Sequence, residues 1–185
     1  MKLLQTRRLL LRAFEEKDLA DYHRYCSDPD VGIHGGWLPH QNLEESRTEL
    51  NKLIKQADSW AICEKETGSN VGLIWLRQDV RRHRSLQNCR VLGYVLAKPF
   101  WGQGLMTEAV GEVLRYAFEE LRLQMVSTYR FSYNQRSGRV MEKMGFVHEG
   151  TLRQCTERFD GALLDVMCYS INRKEYEQWK QENSR

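Results

Sequence analysis

The chemistry in this chain starts at a turn with two glycines: Trp101-Gly102-Gln103-Gly104-Leu105-Met106-Thr107-Glu108. Glycine lets the main chain pass close to a ligand with no Cβ in the way. An apolar, helix-periodic stretch follows, and the first turn of a helix leaves N–H groups unpaired and partly positive. A diphosphate suits such a place, because it needs several donors and a dipole rather than one side chain. The same residues also describe an ordinary tight strand-to-helix turn. Two other phosphate motifs are absent: there is no G-x-x-x-x-G-K-[ST] and no G-x-G-x-x-G. Further along, Asn134 and Ser137 open a second polar helix start. Asn134 is a good helix cap, and Ser137 is tolerated in a first turn, so both have structural readings as well.

Other chemistries find little support. The cysteines Cys26, Cys63, Cys89, Cys155 and Cys168 are odd in number and form no C-x-x-C, which speaks against a disulfide framework. The five histidines include no H-x-x-x-H pair, so no metal is expected. The net charge is +3 and the one basic run is Arg81-Arg82-His83-Arg84. That reads as a solvated loop or as a patch for an acidic partner, and it is too small for a nucleic-acid footprint. A mean hydropathy of -0.64 and the lack of a long apolar run give no membrane span. The first residues are too interrupted by arginine for a signal peptide. A cytoplasmic protein is expected.

The 185 residues suit one domain, residues 1–185. The apolar spacing predicts a strand at 8–14 and a helix at 15–27, stopped by Asp28-Pro29. A second amphipathic helix is predicted at 43–57. A hairpin follows at 59–64 and 70–77, then a strand at 90–96. After the glycine turn a helix runs to about 121, with Leu105, Ala109, Val113, Ala117 and Leu121 four apart. Its broad apolar face implies packing on a sheet. A strand at 125–131 makes this a strand–helix–strand unit, hence a parallel pair. A helix at 134–144, closing strands at 146–152 and 163–171, and a short last helix carrying Tyr176 and Trp179 complete the chain.

This ordered set resembles the GNAT superfamily of N-acetyltransferases almost end to end. The resemblance is carried by Thr6-Arg7-Arg8-Leu9, Leu92-Gly93-Tyr94, the stretch from Phe100 through Ala109, Asn134-Gln135-Arg136-Ser137 and Glu142-Lys143-Met144-Gly145-Phe146. It is most similar to the branch of the ribosomal-protein-alanine N-acetyltransferases. The resemblance implies a mixed α/β (α+β) fold. Its sheet would be mostly antiparallel, with about seven strands, helices on both faces and a central parallel pair splayed around acetyl-CoA. It implies that the diphosphate lies on backbone amides of Trp101, Gly102, Gln103, Gly104, Leu105, Met106 and Thr107. The family pattern [QR]-x-x-G-x-[GA] reads here Trp101-x-x-Gly104-x-Met106, with methionine in place of a small residue. Leu96 would bond the pantetheine arm through its backbone, and a nearby N–H would stabilise the oxyanion, an effect worth about 3–4 kcal/mol elsewhere. Asn134 and Ser137 would lie beside the pantetheine and the sulfur.

The resemblance also exposes gaps. Val91 stands where relatives often carry a glutamate base, and Met141 where many carry a tyrosine acid. Ser137 is left as the acid and Glu157 as a replacement base. His34, Gly35, Gly36, Trp37 and Tyr94 fall where the acceptor pocket would form, although Trp37 can equally anchor its loop. An α-amine with a pKa of about 7.7–8.0 loses its proton at pH 7 for about 1 kcal/mol, a lysine amine for about 4.6 kcal/mol. A weakly equipped site therefore suits an α-amine, or another low-pKa amine, better than a lysine, and the resemblance favours a protein N-terminus. The alternatives are a small amine (amino acid, polyamine or antibiotic) and an acyl-CoA-binding protein with little catalysis. No nucleic acid, membrane or metal is expected, and the state is monomer or homodimer.

Overall fold

A computed structural model describes residues 1–82 and 88–183. Of the basic run, His83 and Arg84 lie outside the described residues. The backbone divides into two compact units, Met1–Trp75 with Tyr94–Glu112, and Leu76–Gly93 with Val113–Arg185. Eight strands and six α-helices are present among the described residues. The strands are mostly antiparallel with one parallel pair, the mixed α/β class that the pattern implied.

In the first unit, β1 (Leu4–Gln5), β2 (Leu9–Arg12), β3 (Ser59–Glu64) and β4 (Asn70–Gln78) pair antiparallel in sequence order. β1 has two residues, too short to show a period, and takes the strand number from the expected seven to eight. Arg12 binds Asp18 through both guanidinium nitrogens, at 2.7 and 2.6 Å, and Asp18 is buried. This fork fastens β2 to a 3-10 turn at Glu16–Asp18 that leads into α1 (Leu19–Cys26). The first helix stops before Asp28-Pro29, as expected, with Ser27 at its C-cap. The Asp28 carboxylate caps a new helix, α2 (Pro29–Gly35), by accepting the Asp30 N–H at 2.8 Å. Pro29 sits at the first helical position, where a missing N–H costs nothing. α3 (Leu43–Gln56) is capped by Asn42, whose side chain accepts from the Glu45 N–H. The core gathers Phe14, Tyr22, Tyr25, Leu50, Leu73 and Val95, with Phe14 edge-on to Tyr22 at 5.9 Å.

β5 (Cys89–Leu96) is divided between the units, as are α4 (Leu105–Arg115) and β4, whose last residues from Leu76 belong to the second. At Gly72 of β4 a Cβ would stand 2.3 Å from the Val95 carbonyl, so a side chain there is barred.

In the second unit the start of β5 runs parallel to β6 (Met125–Phe131), from Cys89↔Met125 to Leu92↔Thr128. The ladder ends there, while Tyr129, Arg130 and Phe131 continue β6. β6 pairs antiparallel with β8 (Leu163–Asn172), and β8 with β7 (Val147–Glu157). After α4 the helix widens into a π turn at Tyr116–Glu120, with the Leu121 N–H on the Tyr116 carbonyl at 3.0 Å. α5 (Gln135–Lys143) precedes β7, and α6 (Arg173–Asn183) ends the described chain. Tyr176 of α6 stacks on Phe118 at 4.7 Å. Among the described residues no helix is long and apolar enough to cross a membrane.

Candidate active site

Gly102 and Gly104 have φ of +77° and +76°, the left-handed region that side chains disfavour. This is why the turn takes glycine. Among the described residues, its two chain neighbours apart, nothing lies within 4 Å of where a Gly102 Cβ would stand, so that side of the turn is open. The Trp101 N–H bonds the Lys98 carbonyl at 3.1 Å, and the Glu108 N–H bonds the Gly104 carbonyl at 3.0 Å. Between them, the N–H groups of Gly102, Gln103, Gly104, Leu105, Met106 and Thr107 have no acceptor among the described residues. They form a continuous row of donors at the positive end of α4, and such a row fits a diphosphate.

The turn is held from outside. Glu108, in the first turn of α4, accepts from the Thr6 hydroxyl, from the Arg8 N–H at 2.8 Å and from Arg8 Nε at 2.8 Å. Burial alone would raise the Glu108 carboxyl. Thr6 and both Arg8 donors outweigh that and keep it below the usual range. Arg8 Nη1 also reaches the Gln103 carbonyl at 3.1 Å. Thr6, Arg8 and Glu108 are thus site-building residues to which the sequence assigned no role. Their partners lie about a hundred positions away, beyond the reach of any local period.

Trp101 turns inward, its indole N–H on the Leu96 carbonyl at 2.7 Å. One lone pair of that carbonyl is therefore occupied. His34 lies on α2 and not in a loop. Its Nδ1 is 2.7 Å from the Asp30 carbonyl, which can only accept, so the neutral ring carries its proton on Nδ1. The ring meets Trp101 edge-on at 5.6 Å. Trp37 has the anchoring role: its indole N–H bonds the Cys26 carbonyl at 3.3 Å, and its ring covers Gly35 so closely that a Cβ would fall 1.7 Å from it. Tyr94 is half-buried on β5.

In the second unit Asn134 caps α5 by accepting the Ser137 N–H at 3.2 Å. Met141 is 1% exposed and belongs to the core. Glu157 ends β7 opposite Leu163 and is exposed. Val91 faces Ser127 across the parallel pair. Ser127 and Tyr129 both donate to the buried Asp79 carboxylate, which also accepts the Arg81 N–H and pairs with Arg82. Burial alone would raise Asp79, and these donors hold it below the usual range. Burial and the donation to Asp79 push Tyr129 up to about 12. These contacts commit the Asp79 carboxylate to the packing of the second unit. Among the described residues no group of three metal-ligating side chains occurs.

Comparison with known proteins names the fold. The sequence profile of the acetyltransferase (GNAT) domain matches residues 8–147. The uncharacterized N-acetyltransferase p20 of Bacillus licheniformis is 29% identical over 181 residues, covering 95% of this chain and 99% of that protein. A GNAT-family acetyltransferase structure from Bacillus anthracis superposes with a TM-score of 0.81 at 27% identity, covering 94% of this chain and 99% of that one. Spermidine N-acetyltransferase of Vibrio cholerae, solved with CoA and spermine, shares the fold at a TM-score of 0.75 and 23% identity, over 93% of this chain and 99% of that one. With its profile match running through both units, the chain belongs to the GNAT family and is an acyl-CoA-dependent N-acetyltransferase.

Proposed function

We propose that this enzyme acetylates the N-terminal α-amine of a protein, with acetyl-CoA as donor and its diphosphate on the amides of residues 102–107. The observation that carries the cofactor site is the row of unpartnered N–H groups beneath two left-handed glycines. Leu96 binds the pantetheine arm through the main-chain capacity that Trp101 leaves. Asn134 and Ser137 serve the pantetheine and the sulfur. His34 and Tyr94 line the acceptor pocket, with Trp37 bracing α2. Residues 1–185 act as one such domain, in the cytoplasm, as a monomer or homodimer, with no nucleic-acid or membrane partner.

The reaction is direct. The neutral amine nitrogen attacks the thioester carbonyl carbon, and the carbonyl oxygen takes up negative charge against a main-chain N–H. The tetrahedral centre collapses, the C–S bond breaks, and its electron pair leaves on sulfur. The nitrogen gives up its proton to water or to Glu157, and Ser137 offers its hydroxyl hydrogen to the sulfur. The α-amine assignment rests on proton affinity: no strong base is needed for a group with a pKa of about 8. Holding the reactants in line supplies much of the remaining rate.

The test is thiol release from acetyl-CoA over a panel of peptides, polyamines, amino acids and aminoglycosides. Peptides with a free N-terminus should turn over, and the same peptides already acetylated there should not. Turnover confined to the small amines would overturn the acceptor assignment and leave the cofactor site standing.

A further inference from the structure

Arg130 is 7% exposed. Its Nη1 donates to the Phe131 and Ser132 carbonyls at 3.2 and 3.0 Å, and its Nη2 to the Tyr169 hydroxyl at 3.1 Å. Its Nε is buried with no acceptor among the described residues. No carboxylate among the described residues forms an ion pair with it. Buried arginines ordinarily have a counter-charge, so this guanidinium is an uncompensated cation in a place of low dielectric.

It lies against the first turn of α5. A Cβ on Gly138 would stand 2.9 Å from Nε, 3.1 Å from Cζ and 3.2 Å from Nη2. Glycine at that helical position is explained by the arginine passing beneath it. The helix start is itself positive, and unlike most helices α5 has no acidic residue in its first turn. Arg139, in the next turn, adds charge of the same sign. Two independent features, a helix start without an acidic residue and a buried guanidinium without a carboxylate partner among the described residues, thus place positive potential at one spot. The titratable groups facing Arg130 are the Tyr169 phenol, over whose ring it sits at 5.5 Å, and His148 behind that ring at 5.0 Å.

We propose that Arg130 and the start of α5 form an anion-stabilising site for the sulfur that leaves the thioester. The inference rests on the reading above, in which that sulfur lies beside Asn134 and Ser137. When the C–S bond breaks, sulfur takes the electron pair and becomes a thiolate, while the amine proton goes to solvent. An alcohol is far less acidic than a thiol, so Ser137 can hydrogen-bond the thiolate but cannot neutralise it. The field of Arg130 and α5 does so instead, as helix N-termini and arginines do for reactive cysteines. It replaces the acid that Met141 cannot supply. Arg130 acts through the field and through the Phe131–Ser132 turn, so it is a positioning and electrostatic residue.

The experiment titrates the sulfhydryl of CoA bound to the protein, following thiolate absorbance against the desulfo-CoA complex, which removes the protein's own cysteines from the signal. The wild type should show a midpoint at least about one pH unit below that of free CoA titrated in the same buffer. Arg130→Lys should keep most of that shift, and Arg130→Met should lose it while still binding CoA. A wild-type midpoint equal to that of free CoA overturns the proposal, whether or not Arg130→Met folds. An unchanged midpoint in a folded Arg130→Met also overturns it. Failure of the wild type to bind CoA at all overturns the parent reading as well, and is seen separately in the same titration.

Discussion

A left-handed φ at Gly102 and Gly104 makes a direct test of whether donors or side chains hold the cofactor. Alanine at either position must adopt a disfavoured backbone or move the turn, at a cost of about 1–2 kcal/mol. Gly104→Ala should therefore weaken CoA binding about fivefold to thirtyfold, measured by calorimetry. Gln103→Ala removes only a side chain bonded to the Pro99 carbonyl, and it should leave the affinity unchanged. Equal losses in the two variants would mean that side chains, not amides, do the binding. The acceptor can be read in the same residue terms. Val91 and Met141 supply neither base nor acid, so kcat/KM for a peptide should rise with pH and level off near the α-amine pKa of about 8. A profile still climbing at pH 10 would point to a lysine acceptor.

At the scale of elements, two fastenings carry predictions. Asp79 ties the end of β4 to β6, and its folded pKa lies below the usual range. A depressed carboxyl contributes stability above the unfolded value of about 3.9, and that contribution is lost as pH falls through the folded pKa. Asp79→Asn should lower Tm at pH 7, and its Tm should fall less than the wild type's on acidification below about pH 4. Parallel curves would show that Asp79 is not the acid-sensitive group. Gly145 closes α5 with φ +77°, and a Cβ there would stand 2.8 Å from Trp179, whose indole N–H bonds the Lys143 carbonyl at 2.9 Å. Gly145→Ala should therefore destabilise by more than about 2 kcal/mol in urea unfolding.

The regular elements were legible because their apolar periods are strong: β6 falls on the 125–131 that its pattern predicts, and α5 starts and stops at Asn134 and Gly145. What escaped had physical reasons. Asp28-Pro29 stops one helix and starts another, and the dipeptide alone carries both meanings. The π turn at Tyr116–Glu120 keeps the helical look of the sequence. β7 extends to Glu157 through a bulge with Gln154 at φ +48°, which breaks the alternation a strand is recognised by. The clamp of Arg8 on Glu108 and the packing of Arg130 under Gly138 depend on long-range contacts that no window contains.

For the whole molecule, the family match and the likeness to solved acetyltransferases fix the reaction class, while the acceptor is a matter of one pocket. The account depends on one physical statement: a diphosphate is bound by main-chain donors at the head of α4. Amide NMR spectra of the labelled protein test it most directly, with CoA added in one series and pantetheine, which lacks the diphosphate, in another. The account predicts that CoA shifts the amide signals of residues 102–107 and that pantetheine leaves them in place. Saturable CoA binding that leaves those amides unmoved would contradict it.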